Sequence, residues 1–217
     1  MTLSEENYLK AIYHLTVISN ADVSTNAIAE MMETKASSVT DMLKKLAEKD
    51  LVNYIKYQGV SLTDPGKLAA KMIVRKHRLW EVFLVEKLDF SWDEVHDVAE
   101  QLEHIKSEKL INKLDDFLGN PTEDPHGDPI PNAKGEIFKI EKQLLSELLV
   151  HQKGICVGVK DTSSEFLKYL DKQEIALGSK IEIIARESFD QSVKISVDGK
   201  SLSISNKIAS NLFVKIN

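Results

Sequence analysis

Apolar residues recur at helical spacing from the start of the chain, with Leu9, Ile12, Tyr13 and Val17 predicting a helix from about Ser4 to Ile18. A polar break at Asn20–Asp22 follows, and Ser24 stands where it can cap a short helix ending near Met32. After a turn at Glu33, Thr34 and Lys35, the run ASSVTDMLKKLAEK sets Val39, Met42, Leu43 and Leu46 on one face of another helix. LVNYIKYQGVSLT then switches to β-branched and aromatic residues around Gly59, the pattern of a small hairpin. Helix pair plus hairpin predicts a winged helix-turn-helix, a module that lays its second helix in the DNA major groove and its wing along the phosphates.

Thr63 and Pro65 open a run that stays helical for more than twenty residues. Ser91 and Glu94 have the spacing of a capping box for a helix carrying His96 to His104. Ser107 opens another, whose stripe of Leu110, Ile111, Leu114 and Leu118 ends at Gly119 and suits either a core or a dimer surface. Residues 120–135 hold four of the five prolines and predict a semi-rigid loop, and 137–149 return to an amphipathic pattern suited to a short connecting helix. From Lys153 onward the pattern is strand-like, broken at Gly178, Asp198-Gly199 and Asn206, with one helix near Ser164–Asp171. A small β-barrel of about 65 residues fits it. The fold class is therefore mainly α with small β parts: a DNA-binding module at 1–72, a helical domain at 73–140 and a β domain at 150–217.

Composition narrows the function. The 217 residues are 42% hydrophobic and 29% charged, as in a globular protein. The chain has no run of 18 apolar residues and no signal-peptide pattern at its start, so a cytoplasmic protein without a membrane partner is expected. The single cysteine, Cys156, excludes an internal disulfide or a multi-cysteine zinc site and sits in the alternating run GICVGVK, as a buried strand residue would. The net charge of −6 disfavours nucleic acid until its distribution is read. Residues 1–75 balance nine basic against nine acidic side chains, whereas 86–128 hold thirteen acids and four lysines. A neutral first module can bind DNA if its lysines share a face. The acidic stretch would be partly neutralised by bound divalent cations.

That stretch holds the candidate chemistry. His96, Glu100, Glu103 and His104 would fall within an arc of about 100° on one helix, and His77 and Glu81 repeat the four-residue spacing on the preceding helix. Imidazoles mixed with carboxylates suit Mn²⁺, Fe²⁺, Zn²⁺ or Co²⁺. On the second helix of the first module, Lys35, Ser37, Ser38, Thr40, Asp41 and Lys44 are the candidates for DNA contact, with Lys45 and Lys56 as further phosphate partners. The same metal cage could serve a hydrolase, but the chain has neither an HExxH motif nor a nucleophile elbow, and no small-molecule substrate is expected. A winged-helix regulator with a non-metal effector is the other alternative.

The stretches ENYLKAIYHL, SSVTDMLKKL, RKHRLWEVFLV, VHDVAEQLEH and DPHGDPIP, with the strand-rich end, resemble the metal-dependent bacterial repressors that include the diphtheria toxin repressor and the manganese transport regulators. RKHRL followed by VHDVAEQLEH is highly specific, and the layout is most similar to the streptococcal manganese-responsive members with an SH3-like C-terminal domain. The resemblance implies a homodimer that binds promoter DNA when Mn²⁺, or alternatively Fe²⁺, is abundant and represses metal-uptake genes. It implies a primary site of His77, Glu100, Glu103 and His104 with a ligand at position 7, and a second site of Glu81, Asp124, His126 and Asp161, with His96 or Glu165 as alternates. Glu100 stands where the iron-responsive branch has a cysteine, which favours harder ions. Three positions depart from the pattern: Asn7 replaces an aspartate or methionine, Asp124 replaces a cysteine, and Asp41 stands where some relatives read bases with a glutamine.

Overall fold

The computed structural model describes residues 1–19, 21–56, 58–138 and 141–216. Asn20 of the expected polar break, Tyr57 of the hairpin run and residues 139–140 of the expected connecting helix lie outside them. The chain forms two compact units, one of Met1–His77, Glu100–Lys113 and Pro131–Ile137, the other of Arg78–Ala99, Leu114–Ile130 and Phe138–Asn217.

In the first unit α1 (Leu3–Ser19), α2 (Thr25–Met31) and α3 (Ala36–Glu48) precede a hairpin of β1 (Val52–Ile55) and β2 (Gly59–Leu62). The Ser24 hydroxyl accepts from Ala27 N–H at 3.1 Å and caps α2. Glu33 adopts a left-handed φ of 47°, and Thr34 N–H reaches back to the Ala29 carbonyl at 2.9 Å, which stops the helix and frees the chain to turn into α3. On α3, Val39, Leu43 and Leu46 follow the i, i+4, i+7 spacing and are fully buried against Leu9 and Ile12 of α1, Ile28 of α2, and Val52, Val60 and Leu62 of the hairpin. Each such aliphatic side chain stabilises the unit by roughly 1.5–3 kcal/mol. Val52 pairs with Leu62 and Ile55 with Gly59, and Val23 exchanges two 2.9 Å hydrogen bonds with Val60, so the hairpin is anchored next to the start of α2. Gly59 has φ +109°, and a Cβ there would meet the Val23 carbonyl oxygen at 3.0 Å, so the residue is required at that junction. This is the element order of a winged helix-turn-helix.

Thr63 caps α4 (Asp64–Leu88) by accepting from Gly66 N–H at 3.1 Å, and Pro65 sits in the first turn, where its missing donor costs nothing. After α4 come α5 (Val95–Leu102) and α6 (Glu108–Phe117), the latter capped by Ser107, whose hydroxyl accepts from Leu110 N–H. The expected capping box is not formed. Ser91 instead offers its carbonyl to Glu94 and Val95 N–H at 3.1 and 3.2 Å, so α5 starts only at Val95. It also ends earlier than the periodicity suggests, at Leu102, and leaves Glu103 and His104 in the following turn. The expected stripe divides: Ile111 and Leu114 are buried and Leu118 is half-buried, whereas Leu110 is exposed, as is the neighbouring Phe117.

The second unit ends in a six-stranded antiparallel sheet of β3 (Gln143–Leu144), β4 (Lys153–Val159), β5 (Lys180–Arg186), β6 (Val193–Val197), β7 (Lys200–Ile204) and β8 (Leu212–Ile216), in the order β3-β8-β4-β5-β6-β7. Helices α7 (Ser164–Lys172) and α8 (Asn206–Ala209) complete it. The amphipathic stretch expected to form a connecting helix does not do so among its described residues. Gln143 and Leu144 pair with Val214 and Phe213, and Leu145 and Leu148 bury themselves in the sheet's core from a single 3₁₀ turn at Leu145–Glu147. Strand pairing here overrides helical periodicity. Cys156 is buried in β4, where burial pushes its thiol up to about 11, the behaviour of a small apolar core residue. No helix among the described residues is long and apolar enough to cross a membrane.

Candidate functional site

The exposed face of α3 begins at Lys35, the residue preceding the helix, and continues through Ser37, Ser38, Asp41, Lys44 and Lys45, all exposed. Thr40 is half-buried, and its hydroxyl is turned back onto the Ala36 carbonyl at 3.0 Å. Lys44 pairs with Asp41 at 3.3 Å on the open surface, an ion pair worth well under about 1 kcal/mol and therefore readily exchanged for a phosphate. Lys56 is exposed at the end of β1. Beside it a groove of about 400 Å³ is lined by Ser24, Asn26, Thr40, Tyr54, Lys56 and Gln58. Asn26 and Gln58 are not among the expected contacts, and Ser24 is expected only as a cap, because polar residues in the first turn of α2 and in the hairpin turn carry no periodic signal.

Within the same unit, α1, α4 and the turn after α5 converge on a cluster of imidazoles and carboxylates. Nδ1 of His77 lies 2.6 Å from Glu103 Oε2, and Nδ1 of His104 lies 2.7 Å from Glu6 Oε2. His104 Nε2 is 3.8 Å from the other Glu103 oxygen, which links the two pairs. The Lys10 ammonium stands 2.6 Å from Glu103 Oε2 and 3.3 Å from both Glu100 Oε1 and His77 Nδ1. Glu6, His77 and Glu103 are buried, while Glu100 is about half exposed. Burial alone would raise the Glu103 carboxyl, but the hydrogen bond from His77 and the Lys10 charge overcome it and hold the group below the ordinary value. The neighbouring Glu5 is taken elsewhere: Lys49 binds it at 2.6 Å and lowers its carboxyl. Asn7 contributes none of these contacts. Of the residues expected here, His77, Glu100, Glu103 and His104 come together, and Glu6 and Lys10 join them.

The second unit holds another group. One ligand-capable atom each of Glu81, Asp124 and His126 lies within 4.8 Å of the others, all buried. Asp124 organises the proline-rich loop, its Oδ1 accepting from His126 and Asp128 N–H at 2.8 and 3.0 Å. His126 Nε2 is 2.9 Å from the Trp92 carbonyl, an acceptor that fixes Nε2 as the donor and leaves Nδ1 facing Glu81 at 3.8 Å. Burial alone would lower the imidazole pKa, but Glu81 and Asp124 carry it up to about 9. Burial and the Glu81 charge push Asp124 up, against the pull of Arg78, whose Nε is 3.3 Å away. His96 reaches the rim, its exposed ring 3.4 Å from Glu81. Asp161 is not brought in; it accepts from Ser163 N–H at 2.9 Å ahead of α7. Glu165 is exposed in the first turn of that helix. Four side chains expected on one helical arc are thus split, because α5 ends at Leu102 and its two ends meet different partners.

The donor chemistry of the first cluster fits a divalent cation. Its contacts come from imidazole nitrogens and carboxylate oxygens, and an ammonium already stands among them as a substitute positive charge. The second group is less open, since the Arg78 guanidinium already neutralises part of it.

Comparison with known proteins agrees with these features. Residues 1–60 match the family described as iron dependent repressor, N-terminal DNA binding domain, and 63–132 match its metal binding and dimerisation domain. Residues 143–216 match the FeoA domain. A solved structure of a manganese-dependent transcriptional repressor in complex with manganese is 36% identical with a TM-score of 0.84, covering 98% of this chain and all of that one. The manganese regulator SloR is 32% identical with a TM-score of 0.72 over the full length of both chains. The iron-dependent repressor IdeR of Mycobacterium leprae is 34% identical over 126 residues, which is 58% of this chain and 54% of that one. A winged helix-turn-helix, a cation-compatible cluster in the same unit and full-length relatives point to one conclusion: the chain belongs to the iron-dependent repressor family of metal-dependent transcriptional regulators, and is a repressor rather than an enzyme.

Proposed function

We propose that the protein is a manganese-responsive repressor of metal-uptake genes, acting in the cytoplasm as a homodimer on promoter DNA. The observation that carries this reading is the convergence of Glu6 of α1, His77 of α4, and Glu103 and His104 after α5 in the unit that also holds α2, α3 and the hairpin. Glu6, His77, Glu103 and His104 are the central ligands, with Glu100 as an exposed fifth arm and Asn7 at the edge. A bound divalent cation supplies positive charge and directed coordination to this set. The protein's own part is to bring a carboxylate of α1 onto the imidazoles and so fix the first helix, on which the α3 core residues rest. That favours the arrangement in which two recognition helices fit successive major grooves. Lys35, Ser37, Ser38, Thr40, Asp41 and Lys44 face the bases and phosphates, and Lys45 and Lys56 neutralise phosphates.

No sulfur takes part in the contacts of the cluster, which favours Mn²⁺ over softer ions, with Fe²⁺ as the alternative. Glu81, Asp124 and His126, with His96 at the rim, form an accessory site. The functional domains are 1–72, 73–140 and 150–217, the last an SH3-like barrel. Phe117 and Leu88 are exposed and belong to the dimer surface. The test is a duplex selected from a random pool by the Mn²⁺-loaded protein. Binding should vanish with chelator and return with Mn²⁺, and a Glu103→Gln variant should fail to respond to the metal.

A further inference from the structure

Lys10 lies one turn beyond Glu6 on α1, and that spacing aims both side chains to one face. Its side chain is only 12% exposed although it carries a charge. The ammonium meets two carboxylate oxygens at once, Glu103 Oε2 at 2.6 Å and Glu100 Oε1 at 3.3 Å, and stands 3.3 Å from His77 Nδ1, which donates to the same Glu103 oxygen. An ammonium has only donors, so both carboxylate contacts use atoms that a coordinated cation would need. We propose that Lys10 is a built-in competitor for the metal, a tethered cation that occupies the donor set and sets the metal concentration to which the repressor responds. The inference rests on the reading of this cluster as the metal site.

Two cations on one carboxylate oxygen repel each other, so Lys10 must leave before Glu103 and Glu100 are free to coordinate. The four-carbon stem makes this possible without moving α1, because the charged end can swing to solvent. Closed and open arrangements then share the population, and the apparent metal affinity falls by the fraction that is open. If Lys10 is seated nine-tenths of the time, the dissociation constant is raised about tenfold.

Two measurements on the full chain test this. Calorimetric Mn²⁺ titration of Lys10→Met, which keeps the stem and removes the charge, should give binding about tenfold tighter than the original chain. Acetylation of the unaltered protein with limiting acetic anhydride, read by peptide mass spectrometry, should be slow at Lys10 without metal and several-fold faster with saturating Mn²⁺. Glu103→Gln is titrated alongside. If Glu103→Gln binds Mn²⁺ as the original does, the cluster is not the metal site and the underlying reading falls. If Glu103→Gln loses affinity but Lys10→Met gains none, the competitor role alone is overturned. A gain in Lys10→Met with acetylation unchanged or slowed by Mn²⁺ also overturns it, since that is the signature of a charge effect without displacement.

Discussion

Nδ1 of His104 lies 2.7 Å from a carboxylate oxygen of Glu6, joining the turn after α5 to the first helix across 98 positions of sequence. Since α1 also supplies Leu9 and Ile12 to the core beneath α3, the pair connects the candidate metal cluster to the proposed recognition helix by packed side chains.

This contact ranks Glu6 above Asn7. Glu6→Gln should weaken Mn²⁺ binding by about tenfold or more, because a charged hydrogen-bonded partner is worth roughly 1.5–3 kcal/mol. Asn7→Asp should change it by less than about threefold, the scale of a half-exposed charge outside the coordination sphere. Calorimetric titration of both variants decides, and the opposite ranking would place Asn7 among the ligands instead.

Metal sensing and DNA contact should separate. His104→Ala removes an imidazole and should lower metal affinity and metal-activated DNA binding together. Lys44→Ala should leave the metal titration unchanged, weaken DNA binding across sequences, and reduce the log-log salt slope by roughly 1 per lysine lost in each protomer. Loss of metal affinity in Lys44→Ala would contradict this division of labour.

Gly127 has φ +80°, and a Cβ there would meet the Val157 carbonyl oxygen at 1.8 Å and Gly158 Cα at 2.4 Å. The proline-rich loop is seated on β4 at this point, with Val159 N–H donating to the His126 carbonyl at 2.9 Å. Gly127→Ala should therefore destabilise the second unit by roughly 2–4 kcal/mol through combined backbone strain and overpacking. Thermal unfolding followed by circular dichroism checks it, and an unchanged transition would show that the loop has another way to seat.

Asp93 gives a pH dependence. The Ser91 hydroxyl, and then Lys168 and Ser164 of α7, hold its carboxyl below the ordinary value of 3.8. A depressed acid contributes stability that is present above its unfolded pKa and lost as pH falls through the folded one. Between about pH 6 and about pH 3 the unaltered chain should lose more thermal stability than Asp93→Asn. Parallel acid profiles would remove Asp93 from the linkage.

The helices and the hairpin were legible because their apolar residues keep strict periods: Val39, Leu43 and Leu46 point inward wherever α3 is placed. The connecting helix was misread because Leu145 and Leu148 are spaced as a helix spaces them but are buried by the sheet edge beside β8. The candidate metal cluster was legible in its residue types, whereas the division of His96 from Glu103 and His104 depends on where α5 stops, which periodicity does not fix. Lys10 was invisible for a related reason. A lysine four residues after a glutamate reads as a surface helix pair, and only the fold turns it onto Glu103, 93 positions away. Arg78 was overlooked likewise, its partners Asp124 and Asp128 lying on a loop far along the chain.

The most direct test of the central claim is the affinity of the full chain for its selected DNA duplex, measured by fluorescence anisotropy at fixed salt, first in chelator and then across a Mn²⁺ titration. Tight, sequence-selective binding is expected only with the metal, rising over the same concentrations at which calorimetry shows the Glu6, His77, Glu103 and His104 cluster filling. Equal affinity with and without Mn²⁺ would contradict metal-controlled repression.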